Sequence, residues 1–125
     1  MKKINLAISG CLGKMGQQLI KSTNKNKAFK LVSLTENKKI KKKFFGIEPQ
    51  INSLNAFKEA NVIIDFTVPK CTLQILNIAA KQKKRVVIGT TGFSNKEEKL
   101  IKNFSRKIPI LKSGNMSLGV NLLMY

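Results

Sequence analysis

The chain has 125 residues, 24 lysines and arginines against six aspartates and glutamates, no histidine, and a formal charge of +18 at neutral pH. That length sets one domain able to bury about two-thirds of its unfolded surface, and no apolar run approaches the roughly 20 residues of a membrane span. "MKK" leads into a polar, strand-like alternation rather than a signal-peptide core, so a cytoplasmic protein is expected.

Cys11 and Cys71 match no metal-ligand spacing and have no histidine to assist them, so both are read as reduced, small apolar residues and no metal is expected. The basic excess raises the possibility of a nucleic-acid-binding module. Against it, Arg85 and Arg106 are the only arginines, whereas specific phosphate and base contacts favour the guanidinium fork. The lysines are scattered apart from one run at Lys38–Lys43, the pattern of a solvated surface, and no specific nucleic acid is expected.

Strand and helix signals alternate along the whole chain. Ile4–Ser9 alternates apolar residues and ends at glycine, as a buried first strand does. From Lys14 to about Asn24, Met15, Leu19 and Ile20 share one side at helical spacing. Phe29–Thr35 is a second strand, and the stretch from Asn37 to Asn52 is basic and irregular, broken by Gly46 and Pro49. A short helical turn near Asn55–Glu59 leads into "NVIIDFT", whose continuous Val62, Ile63 and Ile64 suit a parallel strand covered on both faces.

Pro69 fits the first position of a helix, carried to about Lys81 by Leu73, Ile75, Leu76, Ala79 and Ala80. "RVVIG" is a fourth strand. Ser94 with Glu97 forms a capping-box pattern ahead of a helix through Leu100, Ile101 and Phe104. Ile108–Leu111 is a fifth strand, and a last helix begins near Ser117. Strands alternating with helices over this length require a parallel sheet flanked on both faces, an α/β, Rossmann-type doubly wound single domain spanning residues 1–125. Ligands of such sheets bind beyond the carboxyl ends of the strands. The loops after Ser9, Thr35, Phe66, Ile88 and Lys112 therefore carry the function.

"GCLGKMG" sets Gly10, Gly13 and Gly16 after a strand and across the start of a helix. A pyrophosphate needs close backbone approach and free N–H groups at a helix N-terminus. Gly10 suits the tight turn, Gly13 admits the phosphates, and Gly16 lets the helix pack. The spacing is GxxGxxG rather than GxGxxG, but Glu36 lies 20 residues beyond Gly16 at the end of the second strand, where a carboxylate accepts from adenosine ribose hydroxyls. Its plainer reading is an exposed carboxylate paired with a neighbouring lysine. Glu36 repels a 2′-phosphate while Lys38 and Lys39 attract one, so both NADH and NADPH stay open.

"DFTVP" (65–69) and "GTTGF" (89–93) fall at the ends of the third and fourth strands. Asp65 is the candidate acid or base, and equally a structural acceptor for loop N–H groups, the reading preferred here. Thr90 and Thr91 suit either a ligand contact or an ordinary turn.

Taken together, "INLAISGCLGKMG", "DFTVP", "VVIGTTGF" and the closing "SGNMSLGVNLL" resemble the N-terminal half of dihydrodipicolinate reductase, the 4-hydroxy-tetrahydrodipicolinate reductase of bacterial diaminopimelate and lysine biosynthesis. The matches run in the family's order from end to end. The resemblance implies binding of NADH or NADPH and hydride delivery to a cyclic, unsaturated dicarboxylate substrate. It places the pyrophosphate on Gly10, Cys11, Leu12, Gly13, Lys14 and Met15, and the adenosine ribose on Glu36. It places the nicotinamide and its ribose beside Gly89, Thr90 and Thr91, with Thr91 also near substrate, and completes that side with Ser113, Gly114, Asn115 and Met116.

Two positions depart from the family. Asn37 stands where an arginine often follows the ribose-binding acid, and Met116 where phenylalanine usually follows the asparagine. Family members are about twice this length, and their second half carries the proton donor and the substrate-carboxylate cluster. No catalytic residue is therefore expected within these residues, and the chain alone is expected to bind cofactor without turning over substrate. The family's tetramer contacts lie chiefly in that second half, so a monomer is expected. The competing readings are the Rossmann domain of another amino-acid-pathway enzyme, such as an aspartate or homoserine dehydrogenase relative, and the basic nucleic-acid module.

Overall fold

The computed structural model describes residues 3–112. Among these, six strands form one parallel sheet: β1 (Ile4–Ser9), β2 (Phe29–Glu36), β3 (Gln50–Ile51), β4 (Val62–Asp65), β5 (Arg85–Ile88) and β6 (Ile110–Lys112). The strand order is β3-β2-β1-β4-β5-β6, two halves diverging from β1 and β4, the order of the Rossmann fold. Helices α1 (Lys14–Lys25), α2 (Leu54–Phe57), α3 (Pro69–Gln82) and α4 (Asn95–Phe104) connect them.

The alternation of β1 explains the layering. Leu6 and Ile8 turn to one face, where they join Val62, Ile64 and Val87 under Leu19 and Ile20 of α1. Ala7 turns to the other, with Ile63 and Val86 under Ile75, Leu76 and Ala79 of α3 and Ile101 of α4. Both faces are thus covered, which is why β4 reads as an unbroken apolar run. Pro69 begins α3 and Ser94 closes a full capping box with Glu97 on α4, as the spacing indicates.

Several details differ from the sequence reading. The basic stretch contains a sixth strand, β3, whose two residues are both exposed and too few to show any alternation. β4 stops at Asp65: the Phe66 N–H still donates to the Ser9 carbonyl at 3.0 Å, but the Thr67 N–H turns away to the Thr90 hydroxyl and begins the loop before α3. β6 begins only at Ile110, after Pro109, which has no N–H to give a ladder. Met15 is 46% exposed: the buried stripe of α1 is Gly16, Leu19, Ile20 and Thr23, one position along. The helix expected near Ser117 lies outside the described residues. No described helix is long and apolar enough to cross a membrane. No group of three or more potential metal ligands occurs among the described residues.

Candidate functional site

The sheet reverses its winding between β1 and β4, and the loops after these strands touch. Gly10 has φ +84°, and a Cβ there would stand 2.2 Å from the carbonyl oxygen of Phe66. A Cβ on Gly16 would stand 2.2 Å from the Gly10 carbonyl oxygen and 2.9 Å from Cys11 Cα. These two glycines are demanded by the packing of loop against loop and helix against loop. Gly13 is different: its nearest neighbour to a built Cβ is the Gly10 oxygen at 3.6 Å, an ordinary contact, and its φ of −69° and ψ of 163° suit any residue. The fold leaves room there that the sequence does not use.

Gly13 is also the N-cap of α1 and offers no side-chain cap, whereas Ser53 and Ser94 accept from the N–H groups of α2 and α4. The first-turn N–H groups of a helix have no partner within the helix, and the dipole adds a partial positive charge there. Lys14 and Met15, both exposed, stand at this end.

Glu36 turns toward the glycine loop. Its Oε2 accepts from the Leu12 N–H at 3.1 Å and its Oε1 from the Asn37 N–H at 3.1 Å. The ion pair found among the described residues is Lys112 with Glu98, so Glu36 is held by main chain rather than by a lysine. The Thr35 carbonyl accepts from Gly10 and Cys11 N–H, tying the loop to β2. Cys11 is fully buried; burial, with the Glu36 charge second, pushes its thiol up to about 11, which makes it unreactive near neutrality. Within the loop, its contribution is backbone and bulk.

On the other side of the switch point, Asp65 ends β4 with no exposed surface. Its Oδ1 accepts from Thr67 Oγ1 at 2.6 Å, and its Oδ2 accepts from Thr90 Oγ1 at 3.0 Å and from Thr72 Oγ1. Thr90 Oγ1 in turn accepts from the Thr67 N–H at 2.9 Å. Burial pushes the Asp65 carboxyl above the usual range against the opposing pull of these hydroxyls. Asp65 is thus an acceptor, as preferred from sequence, with hydroxyls as its main donors. The side chain of Thr90 is spent inside this cluster, and the residue is buried. Thr91 is exposed and lines a cleft of about 270 Å³ with Ile88, Gly92, Phe93, Glu98 and Lys112. Gly89 is half-buried, its N–H donating to the Asp65 carbonyl at 2.8 Å.

The structure therefore gathers Gly10–Met15 and Glu36 beyond the ends of β1 and β2, and Gly89–Thr91 beyond the end of β5; the two groups flank the switch point, where sheets of this order form their ligand crevice. Ser113, Gly114, Asn115 and Met116 lie outside the described residues. Sequence reasoning missed Thr67 and Thr72. Thr72 carried a signal, since it sits on the stripe Thr72, Ile75, Leu76 and Ala79 as a polar residue among apolar ones.

A parallel sheet in this order, with a glycine loop at its first β–α junction and a carboxylate from β2 beside it, defines a Rossmann-type domain. Residues 4–116 match the family described as dihydrodipicolinate reductase, N-terminus, and the chain belongs to that family. Over its 125 residues it is 73% identical to the 4-hydroxy-tetrahydrodipicolinate reductase of Pelagibacter ubique, covering all of this chain and 48% of that protein. It is 40% identical to the enzyme of the same name from a Buchnera aphidicola of Cinara cedri, over 97% of this chain and 49% of the relative. The chain thus spans about half the length of the curated relatives it matches.

Among solved structures, a dipicolinate-bound dihydrodipicolinate reductase from Paenisporosarcina superposes with TM-score 0.76 at 24% identity, over 98% of this chain and 51% of that one. A Staphylococcus aureus homoserine dehydrogenase superposes with TM-score 0.71 at 19% identity, over 90% of this chain and 33% of that one. At such identities these likenesses speak to the fold alone.

Proposed function

We propose that the crevice binds a reduced nicotinamide dinucleotide, NADH or NADPH, and that the chain supplies the cofactor half of a cytoplasmic 4-hydroxy-tetrahydrodipicolinate reductase. The whole protein would reduce a cyclic, unsaturated dicarboxylate in diaminopimelate and lysine biosynthesis. The observation that carries this reading is the vacant space at Gly13: packing requires Gly10 and Gly16 to lack a side chain but does not require it of Gly13. A glycine the fold does not need, at an uncapped helix start, fits an approaching pyrophosphate.

In this reading the loop from Gly10 to Met15 holds the pyrophosphate and Glu36 the adenosine ribose. Gly89, Thr90 and Thr91 border the nicotinamide, with Ser113–Met116 completing that side and Thr91 nearest substrate. The cofactor supplies the hydride. The residues of this chain bind and orient it, and the proton donor comes from elsewhere in the whole protein.

The test is calorimetric titration of wild type and Gly13→Val with NADH and NADPH, beside thermal unfolding. Gly13→Val is expected to stay folded and to bind at least about tenfold more weakly, a loss of roughly 1.4 kcal/mol. Unchanged affinity in a folded variant removes the phosphate role from the loop. A short DNA duplex at near-physiological salt is expected to bind weakly and with steep salt dependence; tight DNA binding without a cofactor signal reverses the assignment.

A further inference from the structure

Asp65 is a buried carboxylate with no cation among its partners in the described residues, an expensive choice for a fold that an apolar residue would serve at less cost. What it obtains is a junction. Thr67 belongs to the loop after β4, Thr72 to the first turn of α3, and Thr90 to the loop after β5, and one carboxylate accepts from all three hydroxyls. Thr90 passes the restraint on by accepting from the Thr67 N–H, so the two loops are locked to each other as well as to Asp65. The Phe66 carbonyl, between Asp65 and Thr67, is the atom against which Gly10 packs. Registration of the β5 loop against the glycine loop therefore runs through this cluster.

We propose that Asp65 is a positioning residue for the nicotinamide end of the cofactor, fixing the main chain of Gly89–Thr91 through Thr90 and Thr67 without itself touching the ligand. The proposal rests on the cofactor reading above. The alternative, that Asp65 merely stabilises the domain, predicts equal damage to every ligand of the crevice.

ADP-ribose, which carries the pyrophosphate and adenosine but no nicotinamide, separates the two. Wild type is expected to bind NADH more tightly than ADP-ribose. In Asp65→Asn that advantage is expected to shrink about tenfold while ADP-ribose affinity stays within about twofold of wild type. Thr72→Val, which removes one donor from the carboxylate while preserving shape, is expected to show the same pattern at smaller amplitude. Thr72→Ser, which restores the hydroxyl, should restore the NADH advantage. Because α3 begins with Pro69 and packs through Ile75, Leu76 and Ala79, the Thr72 pair remains informative if Asp65→Asn does not fold. Equal weakening of both ligands, or no change in either, overturns the proposal, as does a wild type without preference for NADH over ADP-ribose. Wild-type failure to bind either ligand instead refutes the cofactor reading itself.

Discussion

On the β1–β2 flank the available groups are the main chain of a glycine loop and an uncapped helix start, beside one side-chain carboxylate, Glu36, that holds the Leu12 N–H. On the β4–β5 flank they begin as side-chain hydroxyls, but these are already committed to Asp65 and to one another. The first flank presents oriented N–H groups and partial positive charge, which suits an anion. The second presents loops whose hydroxyls are tied to the buried Asp65 carboxylate, which in the proposed reading suits an uncharged ring. In the proposed reading, recognition comes from leaving side chains out on one side and tying them down on the other.

The sharpest way to break this contrast is to fill the first flank. Alanine at Gly16 gains up to about 1 kcal/mol of helix propensity, but its Cβ meets backbone at 2.2 Å, which cannot swing aside. Overpacking costs about 1–3 kcal/mol, and at Gly10 the left-handed φ adds about 1–2 kcal/mol. Gly10→Ala is expected to lower stability by about 3 kcal/mol and Tm by roughly 10 °C, and Gly16→Ala by about 1–2 kcal/mol, as read by circular dichroism on heating. Gly13→Ala should melt near wild type. If it melts as early as Gly16→Ala, Gly13 is structural and the reasoning from its empty space is lost.

A smaller change sharpens the role of Glu36. Glutamine keeps an acceptor for the Leu12 N–H but removes the charge, weakening a charge-assisted bond by about 1 kcal/mol. If the adenosine ribose lies beside Glu36, loss of the charge relieves repulsion of a 2′-phosphate, and the ratio of NADPH to NADH affinity should rise on the order of tenfold. An unchanged ratio in titrations with both cofactors would confine Glu36 to holding the loop.

The parallel sheet was legible because its signals are local and repeated. Val62–Ile64 is a continuous apolar run, Pro69 and Ser94 mark helix starts, and the glycines end a strand. β3 was not, since Gln50 and Ile51 form a strand only by pairing with Thr35 and Glu36 at the sheet edge. Nor was the division of labour among the three glycines, because identical residues differ only in what a missing Cβ would strike. The Asp65 cluster joins positions 7 and 25 residues apart: Thr72 stands out on its helical stripe, but nothing in periodicity or motif spacing pairs it, or Thr90, with Asp65.

The gentlest probe asks what the buried carboxylate costs the second flank. Burial raises the Asp65 pKa from the ordinary 3.8, so the native state takes up its proton at a higher pH than the unfolded chain does. Stability falls with rising pH wherever the native state holds more protons. The contribution of this group is therefore greatest below the ordinary value, declines as pH rises to the raised native value, and is level above it. The lysine excess makes the whole protein more strongly self-repelling in acid only insofar as carboxylates elsewhere lose their charge, and that background is shared with Asp65→Asn. The difference in unfolding free energy, wild type minus variant, should accordingly grow as pH drops through this window in denaturant titrations. A difference that shrinks instead would mean that the hydroxyls of Thr67, Thr72 and Thr90 outweigh desolvation, making the ionised carboxylate the favoured form and the junction a source of stability rather than a cost.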